Sequence, residues 1–141
     1  MNIYFGGSIA GGRGYIDTYR EIVDFLKEAG HHILTEHVVH PDVLELEEEF
    51  TPEQVYTRDI KWLTSSDCLI AEVSNPSLGV GYEICYALRI NKPVLCIHRE
   101  GILMTKMLSG NTSEGLTFKS YKDAEQWKQI IRDFLNRITV S

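Results

Sequence analysis

Along the chain, short and nearly continuous apolar runs alternate with longer stretches in which apolar residues recur every three or four positions. The first kind reads as strands buried on both faces and the second as amphipathic helices. Residues 2–6 (Asn-Ile-Tyr-Phe-Gly) predict a strand that runs into the turn Gly6-Gly7-Ser8-Ile9-Ala10-Gly11-Gly12. Tyr15, Tyr19, Ile22 and Leu26, spaced 4, 3 and 4 apart, predict a helix that Gly30 ends. Residues 32–35 predict a second strand, followed directly by Glu36 and His37. The stretch 40–50 is acidic and weakly periodic, which suggests a solvated excursion or a mobile lid. Thr51-Pro52-Glu53-Gln54 then opens a helix to about Ser65, with Thr as N-cap, Pro at the first helical position and Gln completing a capping box.

Residues 68–73 predict the third strand and 74–79 a loop. A helix from about 79 to 90 carries Val80, Ile84 and Leu88 on one face, and 93–97 form a fourth strand. After a short segment at 103–108, residues 116–119 predict a fifth, edge strand. The last helix shows Ala124, Trp127, Ile131, Phe134 and Ile138 at spacings of 3, 4, 3 and 4. This alternation specifies an α/β fold: one domain over 1–141, a doubly wound, Rossmann-like parallel sheet of five strands with flanking helices. Ligands of such sheets bind beyond the carboxyl ends of the strands. Ser8, Glu36, His37, Ser74, Ser77, His98 and Arg99 all collect at those ends.

The bulk properties narrow the function classes. With 141 residues and 43% hydrophobic content the chain can bury a core without disulfides or metals. A net charge of -6 leaves no basic footprint for nucleic acid and no long-range steering toward an anion. An anionic ligand would have to be held locally, by backbone N–H groups, hydroxyls or a single arginine. No apolar run is long enough to span a bilayer and no leader pattern opens the chain, so the expected location is the cytoplasm. Cys68, Cys85 and Cys96 lie in apolar surroundings with no C-x-x-C spacing, which predicts buried small hydrophobes. The five histidines lack metal-ligand spacing.

Two carboxyls carry the chemistry. Glu83 follows Ser77-Leu-Gly-Val-Gly-Tyr, in the first turn or two of a helix at the edge of a central strand. The helix dipole is expected to keep it ionised, as a nucleophile requires. Gly79 and Gly81 cost that helix roughly 1 kcal/mol each against alanine, which makes sense where a ligand or another backbone comes close. Ordinary dipole complementation is the plain alternative for Glu83. Asp59 breaks its helix pattern: Val55, Tyr56, Trp62 and Leu63 flank it at three and four residues, with no basic partner among them. Burial without a cation would raise its pKa and suit a general acid, although a buried Asp can also cap a backbone turn. One ionised and one protonated carboxyl together follow glycosidase logic. The Gly-rich first loop matches neither common phosphate fingerprint, yet it opens onto a helix N-terminus that favours an anion.

Five segments in order give the chain a resemblance to a known family: Tyr4-Phe-Gly-Gly-Ser-Ile-Ala-Gly-Gly-Arg13, Leu34-Thr-Glu-His-Val38, Asp59-Ile-Lys-Trp-Leu63, Ala71-Glu-Val73 and Pro76-Ser-Leu-Gly-Val-Gly-Tyr-Glu83. They resemble the 2'-deoxynucleoside 5'-phosphate N-hydrolases of the nucleoside 2-deoxyribosyltransferase superfamily, over nearly the whole chain. The resemblance implies hydrolysis of the N-glycosidic bond of 2'-deoxynucleoside 5'-monophosphates. Glu83 would be the nucleophile that forms a covalent 2-deoxyribosyl 5-phosphate intermediate, Asp59 the carboxyl that assists departure of the base, and Tyr4 the group that orients the nucleophile. Gly7, Ser8, Ile9, Gly11, Gly12 and Arg13, with Ser77 and Gly79, would hold the sugar phosphate. Glu36 and His37 would line the pocket near the base. Thr105 aligns with a serine that the family supplies from the neighbouring subunit, which implies a homodimer with shared sites. No metal or organic cofactor is implied. The chain departs from the family at Ala10, where relatives carry arginine; loss of that cation weakens phosphate affinity unless Arg13 compensates. A deoxyribosyltransferase, a ribonucleotide hydrolase and a nucleotide-binding module without catalysis stand as the alternatives.

Overall fold

A computed structural model describes residues 1–9 and 14–140. Five strands, β1 (Asn2–Gly6), β2 (His32–Ile33), β3 (Cys68–Glu72), β4 (Val94–Arg99) and β5 (Leu116–Tyr121), form one sheet in the order β2-β1-β3-β4-β5. All four pairings are parallel. The helices are α1 (Ile16–Glu28), α2 (Val43–Glu48), α3 (Pro52–Ser65), α4 (Leu78–Arg89), α5 (Lys106–Ser109) and α6 (Ala124–Thr139).

The strand alternation sorts the core into two layers. Ile3, Phe5, Ile70, Leu95 and Ile97 point toward α1 and α6, where Tyr19, Ile22, Leu26, Trp127, Ile131 and Phe134 meet them. Tyr4, Leu69, Ala71, Val94 and Cys96 point the other way, toward Leu63 of α3 and Val80, Ile84 and Ala87 of α4. Chain order reverses between β1 and β3, so the loops leaving these two strands diverge and open a crevice at their carboxyl ends.

Three local outcomes differ from the pattern-based expectation. β2 stops at Ile33 because Thr35, buried, replaces the ladder with its own side chain: its hydroxyl donates to the Phe5 carbonyl at 2.7 Å and accepts the Phe5 N–H at 2.9 Å. The chain then turns through a single 3-10 turn, Glu36–Val39. The acidic stretch 40–50 contains α2, anchored by fully buried Val43. Six residues with one buried side chain are too few to display a helical period. Cys68 and Cys96 are buried as expected, but Cys85 is exposed because it sits on the outer face of α4. The α3 start follows the sequence closely, with both capping-box hydrogen bonds between Thr51 and Gln54 present.

Candidate active site

Tyr4 of β1, Asp59 of α3 and Glu83 of α4 converge beside the crevice, on the α3–α4 side of the sheet. Asp59 and Glu83 line a cleft of about 660 Å³ together with Glu47, Phe50, Pro52, Val55, Tyr56, Ile60, Leu78, Gly79 and Tyr82. The walls are largely apolar and aromatic, with the carboxyls as the polar groups, as in small-molecule sites.

Glu83 stands in the second turn of α4, whose N-cap is Ser77. It is therefore past the first-turn N–H groups that were expected to keep it ionised. Burial instead pushes its carboxyl up to about 7, and a hydrogen bond from the Tyr4 hydroxyl partly offsets that rise. Tyr4 is itself buried, 2% exposed, and its phenol is raised by burial and by the charges of Glu83 and Asp59. The ring is locked into the sheet by packing, so the hydroxyl presents one fixed donor to Glu83.

Asp59 has a cation after all. Arg58, its neighbour in sequence, folds back so that Nε donates to Asp59 Oδ1 at 2.9 Å. A search for partners at helical spacing overlooks such a pair, because adjacent helix residues ordinarily point apart. Burial still raises the Asp59 carboxyl above its ordinary value, against the pull of the guanidinium. Arg58 Nη2, 2.9 Å from the same Asp59 oxygen, donates to Glu47 Oε1 at 2.8 Å and lies 3.3 Å from His37 Nε2. The guanidinium also sits 4.8 Å from the Trp62 ring centre and 5.6 Å from that of Phe50. Burial, followed by the charge of Arg58, lowers the His37 pKa and favours the neutral imidazole. Neither Arg58 nor Glu47 was evident from the pattern; the only signal was that Arg58 adjoins Asp59.

The remaining expected residues fall into three groups. Glu36 is exposed and pairs with Lys27 of α1 at 3.3 Å, while His37 joins the Arg58 cluster. Ser77 accepts the Val80 N–H at 3.2 Å and so caps α4, Gly79 lines the cleft, and Thr105 is exposed as the N-cap of α5. In the first loop Gly7 and Ser8 are buried and Ile9 is partly buried. A Cβ at Gly7 would stand 2.9 Å from the Tyr19 ring, so glycine is required there by packing. The Ser8 N–H donates to the Tyr19 hydroxyl at 3.1 Å. Gly11, Gly12 and Arg13, like Ala10, lie outside the described residues.

Ser74 belongs to a buried network. Fully buried Glu72 accepts from the Ser74 N–H at 2.6 Å, the Ser74 hydroxyl at 2.8 Å and the Tyr121 hydroxyl. The Ser74 hydroxyl in turn accepts the Arg99 N–H at 2.8 Å, which ties the loop after β3 to β4 and β5. Among the described residues no group of three or more His, Cys, Asp and Glu converges to hold a metal ion, and no helix is long and apolar enough to cross a membrane.

Known proteins are similar to this chain over most of its length. A Methanosarcina mazei protein with the provisional name 2'-deoxynucleoside 5'-phosphate N-hydrolase 1 is 44% identical over 137 residues, covering 97% of this chain and 85% of that protein. A Danio rerio protein named 5-hydroxymethyl-dUMP N-hydrolase is 38% identical over 143 residues, covering 99% of each. Among solved structures, the CMP N-glycosidase BcmB of Clostridium botulinum shares the fold, with a TM-score of 0.72, 16% identity and coverage of 95% of this chain and 99% of that one. The nucleoside 2-deoxyribosyltransferase model matches residues 3–115, and the chain belongs to that family.

Proposed function

We propose that the protein hydrolyses the N-glycosidic bond of 2'-deoxynucleoside 5'-monophosphates, releasing free base and 2-deoxyribose 5-phosphate. The observation that carries this reading is the meeting of Glu83 and Asp59 at one largely apolar cleft, with buried Tyr4 hydrogen-bonded to Glu83, from three elements far apart in sequence. Glu83 attacks C1' as the bond to the base breaks through an oxocarbenium-like transition state. The Tyr4 hydroxyl holds the attacking oxygen in line. Asp59 delivers a proton to the departing base, then takes one from the water that releases the sugar. A carboxyl whose proton affinity is raised by burial suits both roles, holding a proton for the leaving base and, once ionised, taking one from water. The first loop, with Gly7, Ser8, Ile9, Gly11, Gly12 and Arg13, and the start of α4, with Ser77 and Gly79, hold the sugar phosphate.

The active form we infer is a homodimer in which Thr105 of one copy completes the other's site. Exposed Tyr56, Leu78 and Tyr82 rim the cleft, and exposed Leu103 and Met107 flank Thr105. A second copy that brings Thr105 to the cleft would cover both apolar sets at once. Three free cysteines, one of them exposed, suit the reducing cytoplasm.

The test is chromatography of deoxynucleoside monophosphates incubated with the protein, with and without a second base. Free base in both tubes, lost in Glu83→Ala, is the expected result. A new deoxynucleoside monophosphate formed only with the acceptor base would make the chain a transferase, the reaction for which the family is named. No product in either tube would refute catalysis on these substrates. For the shared site, mixing inactive Glu83→Ala with inactive Thr105→Arg should regain activity, since a mixed dimer rebuilds one intact site.

A further inference from the structure

One guanidinium, beside the cleft, is divided between two carboxylates from different elements. We propose that Arg58 is a positioning residue that, shared between Glu47 of α2 and Asp59 of α3, orients the proton-handling carboxyl and ties its setting to the docking of α2. The inference rests on the reading of Asp59 given above.

The geometry leaves Arg58 little freedom. Its Nε donates to Asp59 Oδ1 at 2.9 Å, and its Nη2 stands between the two carboxylates, 2.9 Å from Asp59 Oδ1 and 2.8 Å from Glu47 Oε1. The Trp62 and Phe50 rings lie against the guanidinium. All four polar side chains, those of His37, Glu47, Arg58 and Asp59, are 18–24% exposed, so the cluster is shielded well beyond an ordinary surface pair. α2 buries Val43, and its Glu47 Oε1 is held by Arg58 Nη2 at 2.8 Å and lies 3.2 Å from His37 Nε2. Glu47 lines the same cleft as Asp59 and Glu83.

The charges of the cluster act on both carboxyls of the mechanism. Asp59 is faced by Arg58 on its own helix, His37 on the 3-10 turn, Glu47 on α2, Glu83 on α4 and Tyr4 on β1; Glu83 is faced by Tyr4, Asp59, Glu47 and Arg58. Glu47 raises both carboxyls and Arg58 lowers both. If α2 swings away, Glu47 leaves with it, and the guanidinium is released wholly to Asp59. Docking and proton affinity therefore rise and fall together.

The experiment is the pH profile of kcat/KM for a deoxynucleoside monophosphate, in Glu47→Gln, Arg58→Gln, Arg58→Lys and Asp59→Asn, with the Tm of each variant recorded. Removing the negative charge of Glu47 should move both limbs of the profile to lower pH by roughly half to one unit, and removing the positive charge of Arg58 should move both up by a similar amount. Arg58→Lys keeps the charge but not the fork. Its profile should stay near the wild-type pH, with a severalfold lower kcat, and it keeps the test usable if Arg58→Gln folds poorly. Loss of rate without movement along the pH axis, or movement of both charge variants in one direction, overturns the proposal. In that case Asp59→Asn, still inactive, would show that the reading of Asp59 survives. Asp59→Asn with wild-type activity would overturn both.

Discussion

Glu83 is built at a cost to the fold, and that cost can be measured. A carboxyl that ordinarily titrates near 4.5 is pushed by burial to about 7 here. The folded state therefore binds this proton more tightly than the unfolded chain does. Its stabilising contribution is fully present below about 4.5 and is lost as pH rises through about 7. At 1.36 kcal/mol per pH unit, the loss amounts to about 3 kcal/mol by pH 8. Glu83→Gln keeps the shape and polarity but has no charge to bury, so this particular loss is absent from it. The variant should be inactive yet more stable than wild type at pH 8, with the difference shrinking by about 3 kcal/mol toward pH 4.5. For a chain of this size that corresponds to roughly 10 °C in Tm. Urea or thermal unfolding of both proteins at several pH values is the assay. A stability difference that is flat between pH 4.5 and 8, or a variant less stable at pH 8, would refute the reasoning.

Tyr4→Phe removes the hydroxyl that partly offsets the burial of Glu83. A hydrogen bond to a charged group contributes about 1.5–3 kcal/mol, so the acid limb of the kcat/KM profile should rise by roughly one to two pH units. Activity should fall most below neutrality and recover in part at higher pH; an equal loss at every pH would show that Tyr4 acts on something other than Glu83 ionisation. Leu63 is the fully buried side chain by which α3 holds to the sheet. Leu63→Ala should lower unfolding free energy by about 2–5 kcal/mol in denaturant titration, and a cost under 1 kcal/mol would mean that α3 is held chiefly by its polar contacts.

Local patterns along the chain specify the elements and their layering. Continuous apolar runs became the central strands, 3-and-4 spacing became α1 and α6, and the Thr51–Gln54 pair started α3 at the expected residue. These signals are local: a hydrogen bond within one turn or a periodicity within one element needs no distant partner to be recognised. Asp59 was legible for a related reason, since a charge that interrupts an apolar face is conspicuous in the pattern, and Glu83 by its place near a helix start behind Gly79 and Gly81. Their environments were not. The position of Glu83 in the second turn and the hydroxyl of Tyr4 below it depend on how α4 lies across β1. The pairing of Arg58 with both Asp59 and Glu47 depends on a side chain that folds back along its helix to meet α2. Thr35 shortens β2 for the same kind of reason, because its hydroxyl happens to fall against the Phe5 backbone. Proton affinity and ion pairing are set by whatever surrounds a group within a few ångströms, and in a doubly wound fold those neighbours come from elements dozens of residues apart. Periodicity along the chain specifies which face of an element is buried; only the packed structure decides which charges share the space.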